Sequence, residues 1–155
     1  MSLPNQKLTG TVMPIRVMNA VAAWTSDQYT SWVDMQNKSG VRFIALFGAL
    51  TASQVTSMKL EGANASDKSD AAALKDSDTG TQVATAALAD ADGNKMLVAE
   101  VYRPKCRYIR AVIDRGTANA VIDGVIAEVT HKHPVPATRD TTQAVATAQA
   151  DYVYI

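Results

Sequence analysis

A single cysteine, Cys106, in 155 residues removes any intrachain disulfide from consideration, and assembly in a reducing cytoplasm fits best. No apolar stretch approaches the roughly 18–20 residues that span a bilayer, so no membrane span is expected. The opening MSLPNQKLTG lacks a basic-then-apolar pattern, and export through a signal peptide is not expected. Positive charge is not in excess: 15 Lys and Arg stand against 15 Asp and Glu, which argues against general nucleic-acid binding driven by counterion release. Aromatic residues make up only 6% of the chain, with two tryptophans, Trp24 and Trp32. A phosphate-cradling glycine loop, a serine nucleophile elbow and a paired-carboxylate pattern are all missing, so neither enzymatic activity nor a cofactor is expected.

What the sequence does contain is valine and alanine. Of 73 apolar residues 26 are Ala, and the other 47 are led by 16 Val, which suits a pleated, half-buried surface better than a helix. From Arg16 onward short Val-rich runs alternate with turn-like clusters, the pattern of an all-β sandwich or barrel. Strands are expected at 16–22, 29–35, 41–50, 54–61, 82–88, 95–102, 107–114 and 120–130. Within the apolar run 41–50, Val41, Phe43, Ala45 and Phe47 fall on one face, and Ile44, Leu46 and Leu50 on the other. The expectation is a strand buried on both faces, with a helix as the competing reading. Residues 62–81 read as a loop, with one helical turn at 71–75 capped by Ser69 or Asp70. Asp90-Ala91-Asp92-Gly93-Asn94 carries the strongest hairpin signal. The organisation expected is an N-terminal arm (1–15), a jelly-roll-like β-sandwich of about eight strands (16–130) and a C-terminal arm (131–155). That last arm holds a TTQAVATAQA stretch compatible with a short helix. It carries Tyr152 and Tyr154 in an apolar DYVYI ending that is expected to dock on its own domain or a neighbour.

Residues with chemical potential each have an ordinary explanation. Cys106, flanked by Lys105 and Arg107, has the neighbours that would lower a thiol pKa, yet it follows Pro104 in a turn far from either histidine. His131 and His133 share a strand face but lack the further ligands that zinc requires, so no metal is expected. The Asp90–Asn94 segment fails EF-hand spacing. Asn64-Ala65-Ser66 matches a glycosylation sequon that has no meaning without secretion. Charge is more informative. Residues 61–92 hold seven acidic groups against two lysines (net −5), and residues 101–115 hold Arg103, Lys105, Arg107, Arg110 and Arg115 against Asp114 (net +4). These are either solvated loops or complementary edges that set register between protein chains. Trp24 and Trp32 are either core capstones or interface anchors.

Two stretches, VDMQNKSGVRFIALFGALTASQVTSMKLEGAN (33–64) and ADADGNKMLVAEVYRPKCRYIRAVIDRGTANAVIDGVIAEV (89–129), resemble the decoration, or cement, proteins of tailed-bacteriophage heads. The resemblance covers about the central hundred residues and is most distinctive in VYRP, RYIRAVIDRG and TANAVIDG. It implies a jelly-roll-like sandwich, commonly a homotrimer. Such a protein is made in the host cytoplasm and seated on the outer capsid surface of the virion, where it binds the major capsid protein and stabilises the junctions between its subunits. Trp24, Trp32, Arg103, Lys105, Arg107, Tyr152 and Tyr154 are the candidate interface residues. The competing readings are another virion component, such as a head-fibre base or tail protein, and a carbohydrate-binding sandwich in which the tryptophans stack on sugar rings.

Overall fold

The computed structural model describes residues 12–22, 26–114 and 120–131. Every regular element among them is a strand, and all pairings are antiparallel. In chain order these are β1 (Val12–Met18), β2 (Gln28–Tyr29), β3 (Val33–Asp34), β4 (Lys38–Leu50), β5 (Ser57–Ala63), β6 (Ala72–Ala73), β7 (Met96–Tyr102), β8 (Tyr108–Asp114) and β9 (Ala120–His131). They form two sheets. One has the order β1-β9-β4-β7; the other runs β2-β8-β5-β6, with β3 also on β8. From β7 onward each strand lies in the sheet opposite its predecessor, so the chain wraps the core as a jelly-roll-like sandwich rather than as a stack of hairpins.

The core fills the space between the sheets. Val41, Phe43, Ala45 and Phe47 of β4 and Val125, Ala127 and Val129 of β9 face Met58 and Leu60 of β5 and Ile109, Ala111 and Ile113 of β8. Period-two alternation places these side chains inward, and each large one contributes about 1.5–3 kcal/mol by leaving water. The long central strands bend to follow the sandwich. Their register shifts between Leu46 and Phe47, opposite Gly124, where φ is +149° and an added Cβ would lie 3.4 Å from the Met18 carbonyl oxygen.

Several sequence expectations are corrected. β1 begins at Val12, so a domain boundary at Arg16 cuts through a paired strand. The 29–35 run is interrupted into two short segments: Thr30 N still donates to Ala111 O of β8 (3.0 Å), but Ser31 N donates to Val17 O of β1 (2.8 Å), and the register on β8 has shifted by one residue where pairing resumes at Val33. The 71–75 helical turn is absent; Ala72–Ala73 pairs with Glu61–Gly62 instead. Asp90–Asn94 is a tight turn, with Asn94 at φ 62°, but it does not close a hairpin. Residues 83–88 run beside β5, where Leu60 N donates to Val83 O (2.9 Å) and Leu88 N to Thr56 O (2.9 Å). β7 pairs with β4 in the other sheet, so the turn carries the chain across the sandwich. The short helix expected within 141–150 lies outside the described residues.

Candidate functional site

Strand register determines which side chains are neighbours on the outer face of the four-stranded sheet. One row runs Arg16, Ile126, Ile44, Val98; the next runs Gly124, Leu46, Met96. Leu46 is 37% exposed, Val98 45% and Met96 58%, while Ile44 and Ile126 are half-buried. β4 is therefore not buried on both faces as its composition led one to expect: from Val41 to Phe47 its odd-numbered side chains fill the core and its even-numbered ones face outward, and past the register shift the order inverts, with Ala49 exposed and Leu50 packed against the core. The apolar rows are bordered by a charged one, Pro14, Glu128, Arg42, Glu100. There Arg42 Nε donates to Glu128 Oε2 at 2.8 Å, and the neighbouring carboxylate raises the Arg42 pKa. Beyond it lie Val12, Thr130, Gly40 and Tyr102, the last 66% exposed with the Arg103 guanidinium 5.1 Å over its ring.

The outer face of the five-stranded sheet has a different chemistry. Arg110 is its hub: the guanidinium carbon lies 4.4 Å from the Tyr29 ring centre and 4.5 Å from that of Trp32, and Nε donates to Glu61 Oε2 at 2.8 Å. Lys59 Nζ sits 3.2 Å from Asp114 and 3.6 Å from Asp27. Burial works against the Lys59 charge, but these carboxylates outweigh it and raise its pKa. Arg107 reaches Asp34 (3.2 Å) and the Gln36 side-chain oxygen (3.2 Å). At Asp34, burial pushes the carboxyl pKa up, and the Arg107 guanidinium with the Gln36 amide pulls it below the ordinary value. Lys68 and Arg107 both lie over the Tyr108 ring, at 4.2 and 5.2 Å.

The candidate interface residues do not converge. Trp32 and Arg107 belong to the five-stranded face, Trp32 half-buried beneath Arg110. Arg103 and Lys105 are exposed in the connection after β7, and neither pairs with a described carboxylate. Trp24, Tyr152 and Tyr154 lie outside the described residues, as does His133. Two cations of the basic segment are engaged inside the molecule, Arg110 by Glu61 and Arg107 by Asp34, and the opposed charge segments meet each other within one chain at the Arg110–Glu61 pair. The guanidinium over Trp32 takes up ring surface that a stacked sugar would use.

The groups with chemical potential are absorbed into structure. Cys106 packs against Gly62, and burial raises its thiol pKa, which moves it away from nucleophile chemistry. Asp90 accepts from Ser53 N (2.8 Å) and Asp92 from Ala89 N (2.8 Å), so both hold the turn. Asn64 Oδ1 accepts from Arg107 N at 3.1 Å. His131 ends β9 opposite Lys38. Among the described residues no three His, Cys, Asp or Glu side chains group as metal ligands, and no helix is long and apolar enough to cross a membrane.

Sequence reasoning did not single out the exposed Leu46–Met96–Val98 surface or Arg110 as an organising residue. In KMLVAEVY both alternating sets are apolar, and alternation alone does not tell the inner face from the outer.

No protein-family model and no curated protein matches the sequence. Among solved structures, the SPBc2 prophage-derived protein YomS matches with a TM-score of 0.40 and 9% identity, covering 76% of this chain and 94% of that one. At that degree of likeness nothing follows for this chain.

Proposed function

We propose that this chain is a non-enzymatic structural protein of a bacteriophage particle. In this reading it is a homotrimer that binds the outer capsid surface, contacts the major capsid protein and stabilises the junctions between its subunits. The observation that carries the proposal is the outer face of the four-stranded sheet, where Ile44, Leu46, Met96, Val98 and Ile126 adjoin by register and are bordered by Arg42, Glu100 and Glu128. A contiguous apolar patch with a polar border is the mark of a protein-binding surface. The five-stranded face, by contrast, pairs its charges and sets the Arg110 guanidinium over Tyr29 and Trp32, with Tyr29 still 53% exposed. The likeness of residues 33–64 and 89–129 to phage decoration proteins supplies the partner, and the zero net charge fits a protein shell better than nucleic acid.

The test is binding to mature capsids that lack the protein, with native mass measured alongside. Three subunits in solution and saturable capsid occupancy are expected. Leu46→Lys with Val98→Lys should weaken occupancy by tenfold or more without changing the unfolding temperature, since both side chains point to solvent. Removing residues 140–155 should weaken assembly while the sandwich remains folded. If saturable binding is absent, or occupancy is unchanged in the double variant, the proposal fails.

A further inference from the structure

Among the described residues β7 is an edge strand, paired only with β4. Phe47 N donates to Lys95 O at 3.0 Å at one end of that ladder, and Arg103 N to Ser39 O at 2.7 Å at the other. Both pairs keep the register in which Ile44 opposes Val98. Hydrogen-bonded and non-hydrogen-bonded pairs alternate in an antiparallel ladder, so the odd-numbered residues of β7 bond to β4. The N–H and C=O groups of Met96, Val98, Glu100 and Tyr102 therefore point away from β4, toward the edge. The other sheet edges are guarded. β2, β3 and β6 have two residues each. On β1 the same alternation, carried across β4 and β9, places Pro14 among the outward-facing residues, where it removes a donor. The register of β1 also shifts between Arg16 and Met18. β7 has neither device: its seven residues hold no proline and pair with β4 without a shift. Such an edge is a template for a further strand.

Charge restricts what the edge accepts. In a strand added antiparallel to β7, residues opposite Met96, Val98, Glu100 and Tyr102 exchange backbone bonds with them, and their side chains lie beside these four on the outer face. Met96, Val98 and Tyr102 are exposed and apolar, so they match apolar or β-branched neighbours. Glu100 is exposed and forms no ion pair with a described residue, since Arg42 is taken by Glu128. It matches a cation. At the Tyr102 end Arg103 turns the chain away with φ at 49°, and Arg103 and Lys105 pair with no described carboxylate. They match an acidic start to the added strand. A second copy of β7 does not meet this pattern. The nearby cations Lys95, Arg103 and Lys105 are odd-numbered, whereas antiparallel pairing of two such edges opposes even-numbered residues only. No register of that kind sets a cation opposite Glu100, and one of them opposes Glu100 to itself.

We propose that the edge of β7 captures an extended segment of a partner protein as a fifth, antiparallel strand. That segment is acidic at its N-terminal end, carries a cation opposite Glu100, and is apolar opposite Met96, Val98 and Tyr102. This goes beyond the capsid reading and does not depend on it. The probe is the synthetic peptide acetyl-EDVTKTVTV-amide, and the readout is residue-resolved amide hydrogen exchange on the full chain. Without peptide, Met96, Val98, Glu100 and Tyr102 are expected to exchange fast while Leu97, Ala99 and Val101 stay slow. Saturating peptide should slow the four at least tenfold. The charge-swapped peptide acetyl-KKVTETVTV-amide should bind at least fivefold more weakly at low ionic strength. N-methylation of the valine opposite Val98 should abolish the protection, and N-methylation of the threonine after it, whose N–H faces away, should not. Val98→Pro removes one outward N–H without touching the β4 ladder and should also abolish it. Slow exchange of the four amides in the chain alone overturns the proposal: if it persists on dilution the chain covers its own edge, and if it is lost a second copy does. No slowing by the peptide overturns it too, as does equal binding of the charge-swapped peptide or protection indifferent to both N-methylations. A chain that takes the peptide but fails to bind capsids would leave the edge site standing and refute the proposed function alone.

Discussion

At Gly62 the inner layer of the five-stranded sheet has no room for a side chain. A Cβ there would lie 2.6 Å from Cys106 Sγ, 3.2 Å from Cys106 Cβ and 3.3 Å from Leu74 Cδ1. Cysteine has one short rotatable bond, so Sγ moves only by giving up its present packing against the core. Gly62→Ala is expected to destabilise the protein by about 1–3 kcal/mol, the usual penalty of overpacking. Cys106→Ala alone removes the sulfur and should cost about 1 kcal/mol. Combined, the two changes should cost clearly less than their sum, because the second removes the atom that the first collides with. Denaturant unfolding of the four proteins measures this coupling; strict additivity would contradict the packing described. The same contact explains why Cys106, placed in sequence between two basic residues, is not an activated thiol. Burial opposes thiolate formation, the Asp70 charge adds to it, and the neighbouring cations do not reverse that.

Among the elements, strands were legible from the sequence wherever one set of alternating residues is apolar and the other polar. β8 comes near this kind: Ile109, Ala111 and Ile113 alternate with Tyr108, Arg110, Val112 and Asp114, of which only Val112 is apolar and fully buried, and its bounds match expectation to within a residue. β4 and β7 carry apolar residues on both faces, so their existence was legible but their exposure was not. Turn chemistry identified the positive φ at Asn94 but not the destination of the next strand, since the choice of sheet is made by the core and not by the turn. The 62–81 connection was legible as a loop, but how it is held was not. Asp70 accepts from the Asn64 and Ala65 amides at 2.9–3.1 Å, and Asp76 accepts from Asp78 and Thr79 at 2.9 Å. These backbone donors lower both carboxyl pKa values. A group whose folded pKa is depressed stabilises the fold above its unfolded value, about 3.9 for Asp, and loses that contribution as pH falls through the folded value. Protection of the Asn64, Ala65, Asp78 and Thr79 amides is therefore expected at neutral pH, should persist at the ordinary Asp value of about 3.9, and should be lost only at lower pH as Asp70 and Asp76 protonate, while the β4 and β9 amides remain slow. Carboxyl chemical-shift titration checks the cause directly: Asp70 and Asp76 should titrate below an ordinary Asp, and a value at or above it would contradict the loop geometry.

For the molecule as a whole, the distribution of charge separates what holds the fold together from what remains for a partner. Opposite charges meet within one chain as Arg110 with Glu61, Arg107 with Asp34, and Lys59 with Asp114, the first of these pairs joining the acidic and basic segments that oppose each other in the sequence. Those groups are committed to the five-stranded sheet, and reversing any one of them would break a pair and confound stability with binding. Arg103 and Lys105 differ. They are exposed, pair with no described carboxylate, and adjoin Tyr102 at the edge of the apolar outer face. If the partner is an acidic protein surface, these two cations steer the encounter, and steering acts on the association rate and its salt dependence more than on the lifetime of the complex. Arg103→Glu with Lys105→Glu is expected to slow association with capsids by roughly 3–10-fold at low ionic strength. The difference should shrink toward none near 0.5 M salt, where the screening length falls to a few ångströms. The dissociation rate should change little, in contrast to Leu46→Lys with Val98→Lys, which alters the contact itself and should act on dissociation. Association kinetics on immobilised capsids across a salt series distinguish the two effects. Equal slowing of association at every ionic strength would mean that Arg103 and Lys105 make contact instead of steering, and would move the binding surface from the sheet face to the connection after β7.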